Sequence, residues 1–323
     1  MSNKLNNLII GGAGYTGSVL VKDLLSHNQK VTVIDNFMYD KSSLNSLKKN
    51  PNLKIINSEI SGYKQIKTII KDFDYIYPLS GLVGDPVCKI DKKLTIKYNV
   101  DSLKYLLESP LNRNVKIIYP SSCSVYGLLK KPADETSILN PQSLYAETKI
   151  ECENILRNYK KENLIILRLP TIYGFSLRNR FDLVVNKMTY DITKKSLISV
   201  FNPNSKRPLL SVNDLSKIYI NAQNIKNRFI TYNIGSEKNN LSLEQIAREI
   251  VKVLKNQIAN PKIEYHDEID DNRSYTIILK RFKKDFDFKN FTMLKYEVLN
   301  IFKYLKSKNK TDFSSKKFHN KFN

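Results

Sequence analysis

Tyr145 and Lys149 have the residue types and the spacing to remove a proton from an alcohol. Residues four apart in a helix lie one turn apart on the same face, so the Lys149 ammonium would stand beside the Tyr145 phenol. A free phenol has a pKa of about 10. An ammonium about 5 Å away stabilises the phenolate by on the order of 3 kcal/mol at an effective dielectric of ~20. We therefore expect Lys149 to lower the pKa of Tyr145, which would make this tyrosine a base for a hydroxyl proton.

Context, rather than the Y-x-x-x-K spacing itself, selects this pair. The spacing occurs five times, starting at Tyr63, Tyr126, Tyr145, Tyr190 and Tyr304. Only Tyr145 opens a predicted helix with an apolar stripe, and it follows a serine-rich segment, residues 121–127, at the end of a predicted strand. Open α/β sheets bind ligands at that end of their strands. We expect Ser122 to hydrogen-bond the substrate hydroxyl and complete a catalytic trio, and the alternative is that Tyr145 and Lys149 form a solvated helix face.

Glycines are concentrated directly after the first predicted strand. Gly11, Gly12, Gly14 and Gly17 fall within seven positions, and a helix is predicted from residue 15 onward. Such a turn lets a pyrophosphate approach the main chain at the positive end of the helix. Asp35 ends the next predicted strand, where a carboxylate would accept hydrogen bonds from ribose hydroxyls and repel a 2′-phosphate. The pattern predicts NAD as cofactor in preference to NADP.

These residues must be positioned by alternating strands and helices. Six short apolar runs are predicted as strands, at residues 5–10, 30–35, 53–57, 74–79, 115–120 and 164–169. Their alternation with helical segments predicts right-handed βαβ units. The predicted fold is α/β, a doubly wound parallel Rossmann sheet with a smaller C-terminal substrate-binding part. We expect an NAD-binding domain at 1–170 and 211–236, a substrate-binding part at 171–210 and 237–300, and a fraying basic tail at 301–323.

Composition limits the classes of function. Lys and Arg number 53 against 31 Asp and Glu, a net charge of +22, but the excess is spread along the chain. That distribution does not favour nucleic-acid binding, and a basic field could instead collect an acidic diphosphate. Apolar runs are too short for a membrane span, and no secretory signal is apparent at the N-terminus. The three cysteines suit a reducing cytoplasm and predict neither disulfides nor a metal site.

The spacing G-x-x-G-x-x-G over residues 11–17, together with the Tyr145–Lys149 pair and Ser122, resembles the extended short-chain dehydrogenase/reductase family. The likeness is to its nucleotide-sugar epimerase and dehydratase branch and covers about residues 5–280. It implies an NAD-dependent nucleotide-sugar epimerase of the UDP-glucose 4-epimerase kind. Such an enzyme oxidises a sugar hydroxyl, at C4 in this reading, and returns the hydride to the other face of the keto sugar.

The resemblance also implies binding residues. The cofactor contacts expected from it and from the glycine turn are Gly11, Gly14, Tyr15, Thr16, Gly17, Asp35, Asn36, Glu59, Ile60, Leu79, Ser80, Gly81, Asn99, Tyr145, Lys149 and Pro170. The expected substrate contacts are Ser122, Ser124, Thr171, Arg207 and Arg273. The two arginines would hold the nucleotide diphosphate, because a guanidinium binds phosphate oxygens bidentately.

Departures from the family pattern narrow the activity. The 4,6-dehydratases carry an Asp-Glu pair after the hydroxyl residue, whereas this chain has Cys123 and Ser124, which disfavours 4,6-dehydration. Thr171 replaces the usual asparagine. Two further stretches, Gly84-Asp85-Pro86 and residues 178–186, look like those of a subgroup whose sugar the sequence does not identify.

Two alternatives to the epimerase stay open. One is a nucleotide-sugar 4-dehydrogenase or ketoreductase on the same scaffold, and the other is a non-catalytic Rossmann protein that binds nucleic acid. The resemblance further implies a homodimer, with the helices around residues 101–108 and 145–159 paired across a two-fold axis.

Overall fold

A seven-stranded parallel sheet forms the centre of the chain. The computed structural model describes residues 4–129, 131–159, 162–226, 229–266, 276–308 and 311–320. The strands are β1 (Asn6–Ile10), β2 (Lys30–Asp35), β3 (Leu53–Asn57), β4 (Tyr75–Pro78), β5 (Lys116–Ser122), β6 (Leu164–Leu169), β7 (Thr171–Tyr173), β8 (Leu197–Phe201), β9 (Lys206–Ser211), β10 (Phe229–Asn233), β11 (Asn240–Ser242) and β12 (Lys262–His266). The order in the central sheet is β10-β6-β5-β4-β1-β2-β3. The predicted α/β fold with a doubly wound parallel sheet is confirmed.

Helices connect and cover these strands. They are α1 (Tyr15–Ser26), α2 (Ile66–Ile69), α3 (Asp85–Ile90), α4 (Lys92–Ile96), α5 (Ser102–Leu107), α6 (Leu144–Asn158), α7 (Val184–Lys195), α8 (Val212–Ala222), α9 (Leu243–Leu254), α10 (Lys280–Asp285) and α11 (Leu294–Ser307). A π-helical turn, Lys97–Asp101, joins α4 to α5. Within the ranges described above, no helix is both long enough and apolar enough to cross a membrane.

The sheet is buried on both faces because successive strand residues point to opposite sides. On β1, Ile9 packs in a cluster with side chains of α1 and α8, whereas Leu8 packs in a second cluster with side chains of α5 and α6. The direction in which strands are added reverses between β1 and β4. Strands β2 and β3 follow on one side of β1, and the chain then returns to place β4 on the opposite side of β1. Ligands of doubly wound sheets bind at such a switch point.

The part after Pro170 contains two smaller sheets. The first has the order β11-β9-β7, and the second pairs β12 with β8. Helix α9 begins at a capping box made by Ser242 and Gln245, and its apolar face packs with α7, α11 and β8.

The C-terminal end packs against the rest of the chain. Phe313 and Phe318 are buried in a cluster with Phe181. Lys317 Nζ donates to Ser42 Oγ at 2.8 Å, and Asn320 Nδ2 donates to the carbonyl of Val83 at 3.0 Å. The prediction that this basic end frays is therefore wrong for residues 311–320, because its phenylalanines bury apolar surface that lysine counting did not reveal.

Candidate active site

The glycine turn after β1 permits close backbone contacts that a side chain would prevent. Gly11 has φ +84°, and a Cβ there would lie 2.6 Å from the backbone nitrogen of Ser80. A Cβ on Gly17 would lie 2.5 Å from the carbonyl oxygen of Gly11. Gly14 precedes α1 and provides no side-chain cap, so N–H groups of the first turn remain available to an anion.

A groove runs from this turn across the ends of β1, β2, β3 and β4. Nine predicted cofactor contacts line it: Gly11, Gly14, Asp35, Asn36, Glu59, Ile60, Leu79, Ser80 and Gly81. Lining residues that the sequence analysis missed include Tyr39, Asp40, Lys97 and Tyr98. Its position at the switch point suits a dinucleotide.

The Asp35 carboxylate binds the backbone of the glycine turn and can still accept further hydrogen bonds. Its Oδ2 accepts from the backbone N–H of Ala13 at 2.9 Å, and its Oδ1 accepts from that of Phe37 at 2.7 Å. Each carboxylate oxygen has a further lone pair for a ribose hydroxyl. Burial raises the pKa of Asp35 against the lowering effect of these two hydrogen bonds.

Glu59 is held by two side chains at the far end of the groove. Tyr98 donates to Glu59 Oε1 at 2.6 Å, and Lys97 Nζ lies 2.9 Å from Oε2. The hydrogen bonds from Tyr98 and Lys97 lower the pKa of Glu59. Neither Lys97 nor Tyr98 stands in a recognisable motif, and the only signal was their position just before the predicted Asn99.

The structure brings Ser122, Tyr145 and Lys149 together. Ser143 caps α6 by accepting from the N–H of Ala146, which places Tyr145 in the first helical turn. Ser122 ends β5, near enough to the Tyr145 phenol to lower its pKa. Lys149 Nζ lies 5.8 Å from the centre of the Tyr145 ring. The reading of this pair as a solvated helix face is wrong, since Lys149 is only 8% exposed.

Ser124 supports Ser122 from the following turn. The Ser124 hydroxyl and backbone N–H donate to Ser122 Oγ at 2.8 and 3.1 Å. With both bonds accepted, Ser122 keeps its own hydrogen for donation to Tyr145 or to a substrate oxygen.

The lowering of the Tyr145 pKa expected from Lys149 stays a prediction. Burial raises the pKa of the Tyr145 phenol, the negative charge of Asp85 raises it further, and the Ser122 hydroxyl and the Arg180 guanidinium lower it. Lys149 Nζ instead donates to the carbonyl of Pro120 at 2.8 Å and to the Tyr119 hydroxyl at 3.3 Å. Helical spacing fixes the faces of these two residues and not the acceptors that surround the ammonium, so the sequence did not predict the bonds of Lys149 to Pro120 and Tyr119.

Two stretches that the sequence left unassigned converge on Tyr145. Asp85 and Cys88 belong to α3, whose preceding residue Gly84 has φ +106°. Arg180, on the loop after β7, has its guanidinium 3.9 Å from the position that a Gly84 Cβ would take. In the sequence, only the unusual composition of these two stretches distinguished them, and composition does not predict which residues they contact.

Asn99 and Tyr15, both predicted as cofactor contacts, form hydrogen bonds to backbone segments beside the groove. Asn99 Oδ1 accepts from the N–H of Leu82 at 2.7 Å, and its amide donates to the Thr148 hydroxyl at 3.2 Å. Tyr15 donates to the carbonyl of Gly174 at 2.7 Å.

The other predicted contacts lie on several elements. Thr16 is partly buried in the first turn of α1, Pro170 is buried between β6 and β7, and Thr171 begins β7. Arg207 is buried on the neighbouring β9 and donates to the carbonyl of Lys206 at 3.0 Å. Arg273 lies outside the described residues.

Comparison with known proteins identifies the class. The family model described as "NAD dependent epimerase/dehydratase family" matches residues 7–235. The chain belongs to this family, and it is an enzyme with NAD as its cofactor.

Individual proteins that resemble this chain share only a low sequence identity with it. A putative UDP-glucose 4-epimerase of Methanocaldococcus jannaschii is 25% identical over 320 residues, which cover 94% of this chain and 99% of the relative. A UDP-N-acetyl-alpha-D-glucosaminuronate decarboxylase of Bacillus cytotoxicus is 26% identical over 253 residues, which cover 75% and 78% of the two chains.

Solved structures share the fold. A UDP-N-acetylglucosamine 4-epimerase from Methanobrevibacter ruminantium M1 has a TM-score of 0.84 at 23% identity, with 94% of this chain and 99% of that chain covered. A UDP-glucuronic acid 4-epimerase from Bacillus cereus, in complex with UDP-glucuronic acid and NAD, has a TM-score of 0.82 at 22% identity and the same coverage.

Proposed function

We propose that the chain is a nucleotide-sugar 4-epimerase that works through a transient 4-keto sugar. The observation that carries this proposal is the convergence of Ser122, Tyr145 and Lys149 at the carboxyl edge of the sheet that binds NAD. Relatives and structural neighbours named as UDP-sugar 4-epimerases support it. They also favour UDP as the nucleotide of the substrate.

Each residue of the trio has a distinct task in this proposal. Ser122 donates its hydrogen bond to the C4 oxygen of the sugar and orients the hydroxyl toward Tyr145. Tyr145 accepts the hydroxyl proton, and after the keto sugar has turned it returns a proton to the same oxygen. Oxidised NAD, when bound, would supply the hydride acceptor and a positive ring that adds to the lowering of the Tyr145 pKa expected from Lys149. Lys149 keeps a positive charge below the reacting oxygen.

The residues beside Ser122 favour epimerisation over loss of water. Cys123 is fully buried, donates to the carbonyl of Arg168 at 3.3 Å, and has its pKa raised by burial. Ser124 donates to Ser122 and is not an acid at neutral pH. A 4,6-dehydratase needs proton donors and acceptors at these two positions, which this chain does not supply.

Further roles and properties belong to the same proposal. Asp35 receives the adenosine ribose and excludes a 2′-phosphate, and Arg207 and Arg273 hold the substrate diphosphate. Residues 1–170 and 211–236 form the NAD-binding domain, and residues 171–210 and 237–300 form the substrate-binding part. We also propose a homodimer through α5 and α6, and a cytoplasmic location consistent with three free, buried cysteines.

The test is to incubate the purified protein with a panel of UDP-sugars and to follow the sugar by proton NMR. An epimerase converts one C4 epimer into a mixture of both, with no net change in NADH absorbance. Stoichiometric NADH formation or build-up of a keto product would identify a dehydrogenase instead. A protein that binds RNA in a strongly salt-dependent way and leaves every sugar unchanged would contradict the proposal.

A further inference from the structure

The Lys149 ammonium is bound more closely to a second tyrosine than to the proposed base. Its Nζ lies 3.3 Å from the Tyr119 hydroxyl oxygen and 4.8 Å from the centre of the Tyr119 ring, against 5.8 Å for the Tyr145 ring. The carbonyl of Pro120 accepts a second hydrogen bond at 2.8 Å. Two of the three ammonium hydrogens are thus committed to β5, and the third is left for the side of Tyr145.

Tyr119 is itself buried beside a second side chain of α6. The residue is 3% exposed, and Cys152 lies near enough to its hydroxyl to affect the pKa of the phenol. Cys152 Sγ in turn donates to the carbonyl of Asn99 at 3.2 Å, in the π-helical turn. Lys149 donates to Tyr119, and Cys152 is occupied as a donor to Asn99, so the Tyr119 oxygen serves as an acceptor for the ammonium.

We propose that Tyr119 is a positioning residue that holds the Lys149 ammonium in place and keeps it charged below Tyr145. The role deepens the proposed function and rests on it, because it assumes that Lys149 acts as a cation during turnover. The phenol oxygen supplies an acceptor inside the protein where water does not reach, and the ring adds a cation–π contact.

The charged and titratable groups around Lys149 determine the direction in which its pKa should change when the Tyr119 oxygen is removed. Cys152 and Glu153 on α6 and Cys88 on α3 face it and favour its charged form, whereas burial lowers the pKa of Lys149. Tyr119 on β5 and Tyr145 on α6 complete its surroundings. The Tyr119 oxygen stabilises the ammonium more than the neutral amine, so its loss lowers the pKa of Lys149 and the ammonium is lost at a lower pH.

Tyr119→Phe isolates this effect because it keeps the ring and removes only the oxygen. We expect the alkaline limb of the pH profile of kcat to move to lower pH by about one unit, a tenfold change in the ionisation constant, with KM for the sugar nucleotide unchanged. Tyr77→Phe is the matched control. Tyr77 is also buried in the central sheet, on β4, and its hydroxyl accepts from Gln223 at 2.9 Å. We expect the control to keep the wild-type profile.

A measurement without turnover separates this inference from the proposed function. The Lys149 side-chain ¹⁵N resonance, identified by its loss in Lys149→Met, is titrated in wild type and in Tyr119→Phe. A lower Lys149 pKa in Tyr119→Phe supports the positioning role even where the wild type epimerises no sugar. Unchanged pKa and pH profile in a folded Tyr119→Phe protein overturn it. Should Tyr119→Phe not fold, Cys152→Ala is read in the same way, with a smaller shift in the same direction expected and no shift overturning the role.

Discussion

Glu153 and Arg168 form a buried, two-point ion pair that joins the helix of the proposed base to the sheet. Arg168 Nε lies 3.0 Å from Glu153 Oε1 and Nη2 lies 2.7 Å from Oε2, with both side chains at most 1% exposed. Ser121, next to Ser122, donates to the same carboxylate at 2.5 Å. The ion pair to Arg168 on β6 and the Ser121 bond on β5 therefore fix α6, and with it Tyr145 and Lys149, against the ends of these two strands.

Removal of the Glu153 charge should destabilise the fold strongly. Glu153→Gln leaves the Arg168 guanidinium buried without its counter-charge, which costs about 3–5 kcal/mol of unfolding free energy. Glu151→Gln is the control on the same helix, since Glu151 meets Lys104 at 3.3 Å on the surface and such a pair contributes at most about 1 kcal/mol. Urea unfolding measures both, and equal losses from the two variants would contradict the assigned role of the pair.

A methyl group on Gly17 should disturb the phosphate turn. Gly17→Ala places a Cβ against the Gly11 carbonyl and the Gly12 backbone, which must then move. We expect a loss of about 1–3 kcal/mol in stability together with a lower NAD content of the purified protein. Gly62→Ala is the control, because its Cβ would lie 3.4 Å from the Ser58 hydroxyl, an ordinary contact. NAD released by denaturation and quantified by absorbance decides the matter, and full NAD content in Gly17→Ala would argue against this turn as the pyrophosphate site.

Asp35→Asn should weaken the choice of NAD over NADP. An amide keeps one oxygen acceptor and removes the charge that repels a 2′-phosphate. We expect the ratio of the two dissociation constants, measured by calorimetry on protein stripped of cofactor, to narrow at least about tenfold, or about 1.4 kcal/mol. A ratio of dissociation constants that stays at its wild-type value would show that Asp35 does not contact the ribose.

The sequence revealed the parts of this site that are local in the chain. The glycine turn, Asp35 and the end of β5 follow from short motifs whose geometry the backbone imposes. Arg180, on a loop, and Asp85, at the start of α3, act on Tyr145 from segments distant in sequence, so only tertiary packing could bring them there. The raised pKa of Tyr145 was missed for the same reason, because desolvation depends on every element that covers a side chain.

Buried phenols should make the protein less stable in alkali. Burial raises the pKa of Tyr77, so this phenol ionises near pH 10 in the unfolded chain while it stays neutral in the folded one. Its stabilising effect is complete below pH 10 and is lost as the pH rises further, at about 1.4 kcal/mol per pH unit. We expect the stability advantage of wild type over Tyr77→Phe, measured by urea unfolding, to shrink between pH 9 and pH 11. A constant difference would show that Tyr77 ionises alike in both states.

The most direct test of the proposed mechanism is the turnover of Tyr145→Phe with the UDP-sugar that the wild type epimerises. We predict a fall in kcat of about 10³-fold, with NAD content and stability near those of wild type. Tyr159→Phe, at the other end of the same helix, should keep its activity. A Tyr145→Phe protein that interconverts the two C4 epimers at the wild-type rate would contradict the mechanism.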